Sequence, residues 1–368
     1  MKRVLILGTN AGQADIIDYL KRENWEVHAC AYKREGPGCD MAHYFHLVDT
    51  LNVEAVTLLA KNIDAQLVYS VSSDSAIKTV TKVSEILGLP HFINSEIIEL
   101  FDKKELLRQF LNENNICQVA YTSFTSNSDI NTWKHFPCVV KPSDSQGQRG
   151  VQLIENKEDF ANAVALAIKE SKSGKAIVEE YFYGIEMSSN VVVQNKKVIV
   201  NEFTERYVHG KHYFGLPKGH AIPVRNVEET TITAAKQMIE KMITALNMED
   251  AILYVQMVAT PQGVKIIEVA PRLDGCHIWR MIRFAKSYDL RAYAINLLLK
   301  NKIEHKVIDN GAFTLYFNQL PSGEKFERKN FKINNEKIVF EEYRYKDGEH
   351  IVPINGKLEV IGYYISKE

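Results

Sequence analysis

Paired cysteines are missing from this 368-residue chain: Cys30, Cys39, Cys117, Cys138 and Cys276 are odd in number, scattered, and nowhere spaced as CxxC. Neither a disulfide framework nor a cysteine-ligated zinc is expected, and reduced, mostly buried thiols are. Charge of one sign is missing too. The 45 basic and 46 acidic residues give a formal net charge of −1 with no basic block, so the footprint of a nucleic-acid binder is lacking. No run approaches the roughly 18 apolar residues of a membrane span, and the opening MKRVLILGTN breaks off too soon for a signal peptide. A cytoplasmic protein without nucleic-acid or membrane partners is expected. What is present is a globular composition, 45% hydrophobic and 25% charged, on a chain long enough for two or three domains.

The first hundred residues alternate strand and helix. Val4 to Leu7, Val27 to Ala31 and Ala65 to Val71 read as strands, while Ala14 to Arg22, Val53 to Lys61 and Ala76 to Leu87 have helical periodicity. That order implies a parallel sheet wrapped by helices. Two short helices follow over Ser95 to Asn112. Strands then predominate from Val119, interrupted by helices at Asp159 to Glu170, Glu228 to Leu246 and Leu290 to Leu299. The tail beyond Ala312 is again mostly strand.

Four segments carry chemistry. Gly8 to Gln13 is a Gly-rich turn between a strand and a helix, able to cradle an anion or simply to pack tightly. It lacks GxGxxG spacing, and no acidic residue closes the next strand, so a dinucleotide site is disfavoured. Cys138 to Lys141 is a strand that delivers Lys141, followed after Pro142 by a small, polar, Gly-bounded loop over Ser143 to Gly150. A lysine on a rigid strand can hold phosphate oxygens while such a loop covers them. Glu179, Glu180, Tyr181 and Phe182, then Gly184 and Glu186, read as a strand running into a linker with backbone groups and an acid on offer. Finally, Gln256 and Glu268 lie on the two arms of a hairpin. A carboxylate there suits Mg2+, which shares hard oxygen ligands with substrate phosphates, and Arg272 just beyond can clamp a phosphate.

In this order and spacing the segments resemble the ATP-grasp superfamily, from the Gly8 turn through Gly275. Glu268 to Arg272 with Gly275 and His277 looks most like the carboxyaminoimidazole ribonucleotide synthetase branch. The Lys141 loop and the Glu179 to Glu186 linker are also similar to biotin carboxylase and carbamoyl phosphate synthetase. The resemblance implies an α/β ATP-grasp fold with a Rossmann-like N-terminal domain (1–100), a small lobe with linker helices (101–185), a large lobe (186–305) and a β-rich C-terminal part (306–368). It implies ATP held by Lys103 (with Lys104 as a near alternative), Lys141, Ser145 and Gly147 of the loop, and Glu179, Glu180, Tyr181, Phe182 and Glu186 of the linker. It also implies Mg2+ (or Mn2+) on Gln256 and Glu268, with Lys141 and Arg272 serving catalysis. Two positions depart from the usual pattern: Gln256 is neutral where an acid is common, and Ala270 stands where Asn is common.

The function implied is ATP-dependent ligation of a small carboxylic acid to an amine or thiol through an acyl phosphate. Carboxylation of an amine with bicarbonate, or a module that binds ATP without turnover, are the alternatives. An oxidoreductase using a nicotinamide cofactor would leave Lys141 and the Glu268 strand without a role. Substrate contacts are sought in Glu205 to Phe214, at His220 and Arg283, and in the Gly8 turn. A homodimer is the commonest closed assembly for such a chain.

Overall fold

The alternating N-terminal segments close into a parallel sheet. The computed structural model describes residues 1–144, 148–210, 213–331, 336–353 and 356–368. In it β1 (Arg3–Leu7), β2 (Glu26–Ala31), β3 (Tyr44–Leu47) and β4 (Leu67–Tyr69) run in the order β3-β2-β1-β4, every pair parallel. Parallel neighbours need crossovers. These carry α1 (Ala11–Arg22), α2 (Gly38–Met41) and α3 (Val53–Asn62), and α4 (Asp74–Leu87) follows β4. Asn10, Asn52 and Ser73 cap α1, α3 and α4 through their side-chain oxygens, satisfying backbone donors that each first turn leaves unpaired.

Two helices, α5 (Ser95–Asp102) and α6 (Lys104–Glu113), lead to a second sheet. Its strands are β5 (Tyr121–Phe124), β6 (Cys138–Pro142), β7 (Gln152–Ile154) and β8 (Ala176–Glu180), ordered β5-β8-β6-β7, with α7 (Phe160–Glu170) packed beneath.

The remainder builds one eight-stranded antiparallel sheet. It contains β9 (Ile185–Gln194), β10 (Lys197–Val208), β11 (Pro217–Ile222), β12 (Ala251–Thr260), β13 (Gly263–Ala270), β14 (Phe313–Pro321), β15 (Ile338–Tyr343) and β16 (Leu358–Lys367). The order is β13-β12-β9-β10-β11-β14-β16-β15. Period-two alternation sends Met187, Val191, Leu253 and Val255 to one face, against α8 (Glu229–Ala245). Val192, Ile252, Leu315 and Ile365 go to the other, against α9 (Ile278–Lys286) and α10 (Leu290–Leu298). Each fully buried side chain of this size contributes about 1.5–3 kcal/mol. No break in the sheet falls at residue 306: β14 pairs directly with β11, so the C-terminal strands extend the large lobe's sheet.

The N-terminal sheet packs into the same core as α9 and α10. A buried polar seam reinforces that junction. Asp15 accepts from Arg280 and meets His277 Nδ1 at 3.2 Å, and Arg291 donates to the Asp15 carbonyl at 3.1 Å. His277 is therefore a junction residue, stacked on Tyr363 with ring centroids 4.8 Å apart. Among the described residues, no helix is long and apolar enough to cross a membrane.

Candidate functional site

A cavity of about 1100 Å³ opens between the second sheet and the large sheet. Lys141 on β6, Glu179 to Phe182 and Glu186 at the linker, and Gln256 and Glu268 on the hairpin all line it. Strand register explains the convergence. Gln256 pairs directly with Glu268 across β12 and β13, so both project from one face. Val139 pairs with Glu179 and Lys141 with Ile177, which leaves Lys141 and Glu179 as same-face diagonal neighbours.

Lys141 Nζ donates to Glu179 Oε2 at 2.5 Å, both side chains being nearly inaccessible. Arg108, from α6, donates through Nε to Glu179 Oε1 at 2.6 Å. Burial alone would raise the Glu179 carboxyl, but Arg108 and Lys141 outweigh it and hold it down at about 2. Burial pushes the Lys141 ammonium below its ordinary value; Glu179 opposes that shift and Arg108 adds to it. The linker's other acid, Glu180, accepts from Ala120 N at 2.8 Å. Glu186 accepts from Arg206 and from Gln256 Nε2 at 3.1 Å, which ties the linker acid to the hairpin. Gly184 has to be glycine: a Cβ there would lie 2.1 Å from the Ala259 carbonyl oxygen, where the linker crosses β12.

Of the loop over 143–150, Ser145 and Gly147 lie outside the described residues. Its base is well anchored. Ser143 Oγ donates to Glu105, and Asp144 accepts from Ser171 Oγ at 2.8 Å and from the Ser173 amide at 2.8 Å. Gln148, on the returning leg, lines the cavity and comes close to Gly215 on the opposite wall.

Lys103 does not line the cavity; it is half-buried and ion-paired with Glu99 one helical turn back. Lys104 does line it. The chain breaks between α5 and α6 at Lys103, which resets the helical phase and turns the next side chain inward. Arg272 is buried, and Asp74 at the start of α4 accepts from its Nε and, at 2.7 Å, from its Nη2. Burial would lower its pKa, but Asp74 more than compensates and raises it. The Gly8 turn is not part of the cavity lining and is filled by packing: a Cβ on Gly12 would lie 2.6 Å from Ser72 Oγ. Arg283 also lies off the lining, whereas Arg206 to His209 and Tyr213 to Gly215 belong to it. His220 is fully buried, its Nδ1 3.4 Å from Thr204 Oγ1, and burial pushes its pKa well down.

Arg108 escaped the motif reading. Its signal was faint: an arginine four residues after Lys104 on the same side of a short helix, a spacing equally common on solvated faces.

Among the described residues, no three or more His, Cys, Asp or Glu side chains converge as a metal cage. Glu268 offers one carboxylate, and the Gln256 amide that donates to Glu186 still has its carbonyl oxygen. That donor set fits Mg2+ brought in by a nucleotide, since Mg2+ keeps waters and takes one or two carboxylates plus phosphates.

Comparison with known proteins agrees with this geometry. Residues 134–279 match the ATP-grasp domain family. Phosphoribosylamine–glycine ligase of Methanocaldococcus jannaschii is 23% identical over 315 residues, covering 77% of this chain and 70% of that one. L-amino acid ligase from Bacillus licheniformis superposes with a TM-score of 0.82 at 15% identity, covering 100% of this chain and 93% of that one. N5-carboxyaminoimidazole synthetase from Staphylococcus aureus, complexed with ADP, does so with a TM-score of 0.78 at 14% identity, covering 99% and 92%. At these identities the superpositions establish a shared fold.

Proposed function

We propose, from the premise that this chain carries an ATP-grasp domain, that it is an ADP-forming ligase joining a small carboxylic acid to an amine through an acyl phosphate. One observation carries the reading. Lys141 from one lobe and the Gln256–Glu268 pair from the other line a single cavity, with the Glu179 to Glu186 linker along its edge.

In this reading the linker's backbone groups and the Glu186 carboxylate hold the adenosine end of ATP, and Lys141 with Lys104 holds phosphate oxygens. Gln256 and Glu268 would hold Mg2+, which when bound supplies positive charge against the phosphates. The acid's carboxylate attacks the γ-phosphorus, the bond to the β-phosphate oxygen breaks, and ADP leaves. The amine then attacks the acyl carbon and inorganic phosphate departs. Positioning and electrostatic stabilisation account for such a transfer without a nucleophilic side chain. Exclusion of water by the loop over 143–150 protects the acyl phosphate from hydrolysis. Arg272 serves that intermediate only by sharing or exchanging its bond with Asp74. The cavity's far wall, formed by Phe317, Asn318 and Gln319 of β14 with Lys218 and His209, is where the two organic substrates would sit.

The test is ADP and phosphate release from Mg-ATP in the presence of paired amino acids and other small acids. Stimulation by a specific pair, reduced roughly 100-fold in Lys141→Ala and Glu268→Gln with the fold intact, is the expected result. A carboxylated amine formed only with bicarbonate would move the assignment to the carboxylase reading. A module that binds without turnover is the second reading, favoured by the neutral Gln256 at a position where an acid is common. Tight ATP binding with no release stimulated by any pair would establish it.

A further inference from the structure

Arg108 joins three parts of the molecule that the ligase reading requires to act together. It projects from α6, is 2% exposed, and lines the cavity. Its Nε and Nη2 donate to the Glu179 carboxylate on β8 at 2.6 and 3.4 Å. Its Nη1 donates to the Ile266 carbonyl, and Nη2 also to the Ile267 carbonyl at 3.2 Å, both on β13. Ile267 immediately precedes Glu268. Glu179 Oε2, the oxygen that Nη2 reaches at 3.4 Å, also accepts from Lys141 Nζ at 2.5 Å. A planar, five-donor guanidinium can serve a carboxylate and two carbonyls at once; an ammonium cannot keep that geometry.

We propose that Arg108 is a positioning residue for the phosphate site, resting on the nucleotide-binding reading above. It presses Glu179 against Lys141, which fixes the lysine's ammonium, and it pins β13 so that Glu268 is held at a set separation from that ammonium. It also sets the local charge. Two cations share one buried carboxylate, and an excess buried positive charge is costly until an anion offsets it. A diphosphate or triphosphate tail is such an anion. Without Arg108, Lys141 and Glu179 become a neutral pair, and of the cations proposed to hold the phosphates only Lys104 keeps its full attraction.

Isothermal titration of the full chain with MgADP and, separately, adenosine tests this. Arg108→Met keeps the apolar stem and removes the charge. It is expected to weaken MgADP binding about tenfold or more while adenosine binding stays within about twofold. Arg108→Lys keeps the charge without the fork and is expected to fall between, again with adenosine unchanged. A general packing role would weaken both ligands together. Equal loss of MgADP and adenosine in a folded variant, or wild-type MgADP affinity in either variant, overturns the proposal. If Arg108→Met does not fold, the MgADP-to-adenosine ratio of Arg108→Lys decides. A wild-type protein that binds adenosine and MgADP equally weakly defeats the phosphate site itself, and this proposal with it.

Discussion

Gln256 and Glu268 stand directly opposite one another on adjacent antiparallel strands, the amide of one linked onward to Glu186. Three side chains in a row thus present oxygen atoms to the cavity, and only the middle one is neutral. Gln256→Glu is therefore expected to retain turnover and to lower the Mg2+ concentration needed for half-maximal ADP formation. Loss of all turnover in a folded Gln256→Glu protein would count against Gln256 as a metal-facing group.

Lys103 and Lys104 separate cleanly in the structure, one paired with Glu99 outside and the other on the cavity wall. Lys104→Ala is expected to raise the KM for ATP about tenfold, the size of one charge-assisted hydrogen bond, and Lys103→Ala less than about twofold. Reversed effects in steady-state kinetics would return the phosphate role to Lys103.

The depressed Glu179 carboxyl has a consequence for acid stability. Its folded-state pKa, about 2, lies below the ordinary 4.5, so its stabilisation is full above pH 4.5 and is lost as pH falls towards 2. A shift of this size corresponds to roughly 3 kcal/mol. Glu179→Gln should be destabilised at neutral pH, because it leaves Lys141 and Arg108 unpaired, and its stability should fall less between pH 4.5 and 2. Denaturant melts across that range measure both effects; parallel wild-type and variant curves would contradict the assignment.

Asp74, at the start of the helix that follows the N-terminal sheet's last strand, engages two nitrogens of the Arg272 guanidinium. Asp74→Asn keeps the shape and removes the charge, so Arg272 becomes a stronger anion site but a less well oriented one. The expected result is kcat lowered by about tenfold with the KM for ATP nearly unchanged. A change confined to the KM for ATP would place Arg272 at the nucleotide instead.

The sequence made the strand-rich core legible because its segments alternate cleanly: Val4 to Leu7, Val27 to Ala31 and the Gln256–Glu268 hairpin match the observed strands closely. Among the elements that were not anticipated, three have a clear reason. The strand Pro217–Ile222 contains proline and glycine, which argue against a strand, and it forms only because β10 and β14 flank it. The helix Ile278–Lys286 opens after His277 in a left-handed conformation, and its first amide is taken not by the preceding residue but by Asp274 Oδ1, four residues back, at 2.9 Å. The strand Tyr44–Leu47 is four residues on a sheet edge, too short to carry a pattern. In the site, Glu179 was read only as a linker residue because its bonds depend on antiparallel register between strands about forty residues apart. Nothing local to Glu179 announces Lys141 and Arg108 as its partners.

Because β11 hydrogen-bonds to β14 on its outer side, the segment that matches the ATP-grasp family could not be cut out as a working miniature. Ending the chain before Phe313 would strip β11 of its neighbour, expose a row of unsatisfied backbone groups, and invite strand-to-strand aggregation. It would also remove Phe317, Asn318 and Gln319 from the cavity. If the organic substrates sit against that wall, as proposed, their recognition is welded to the last sixty residues, and a lineage altering its specificity could vary them while leaving Lys141 and the Gln256–Glu268 pair untouched.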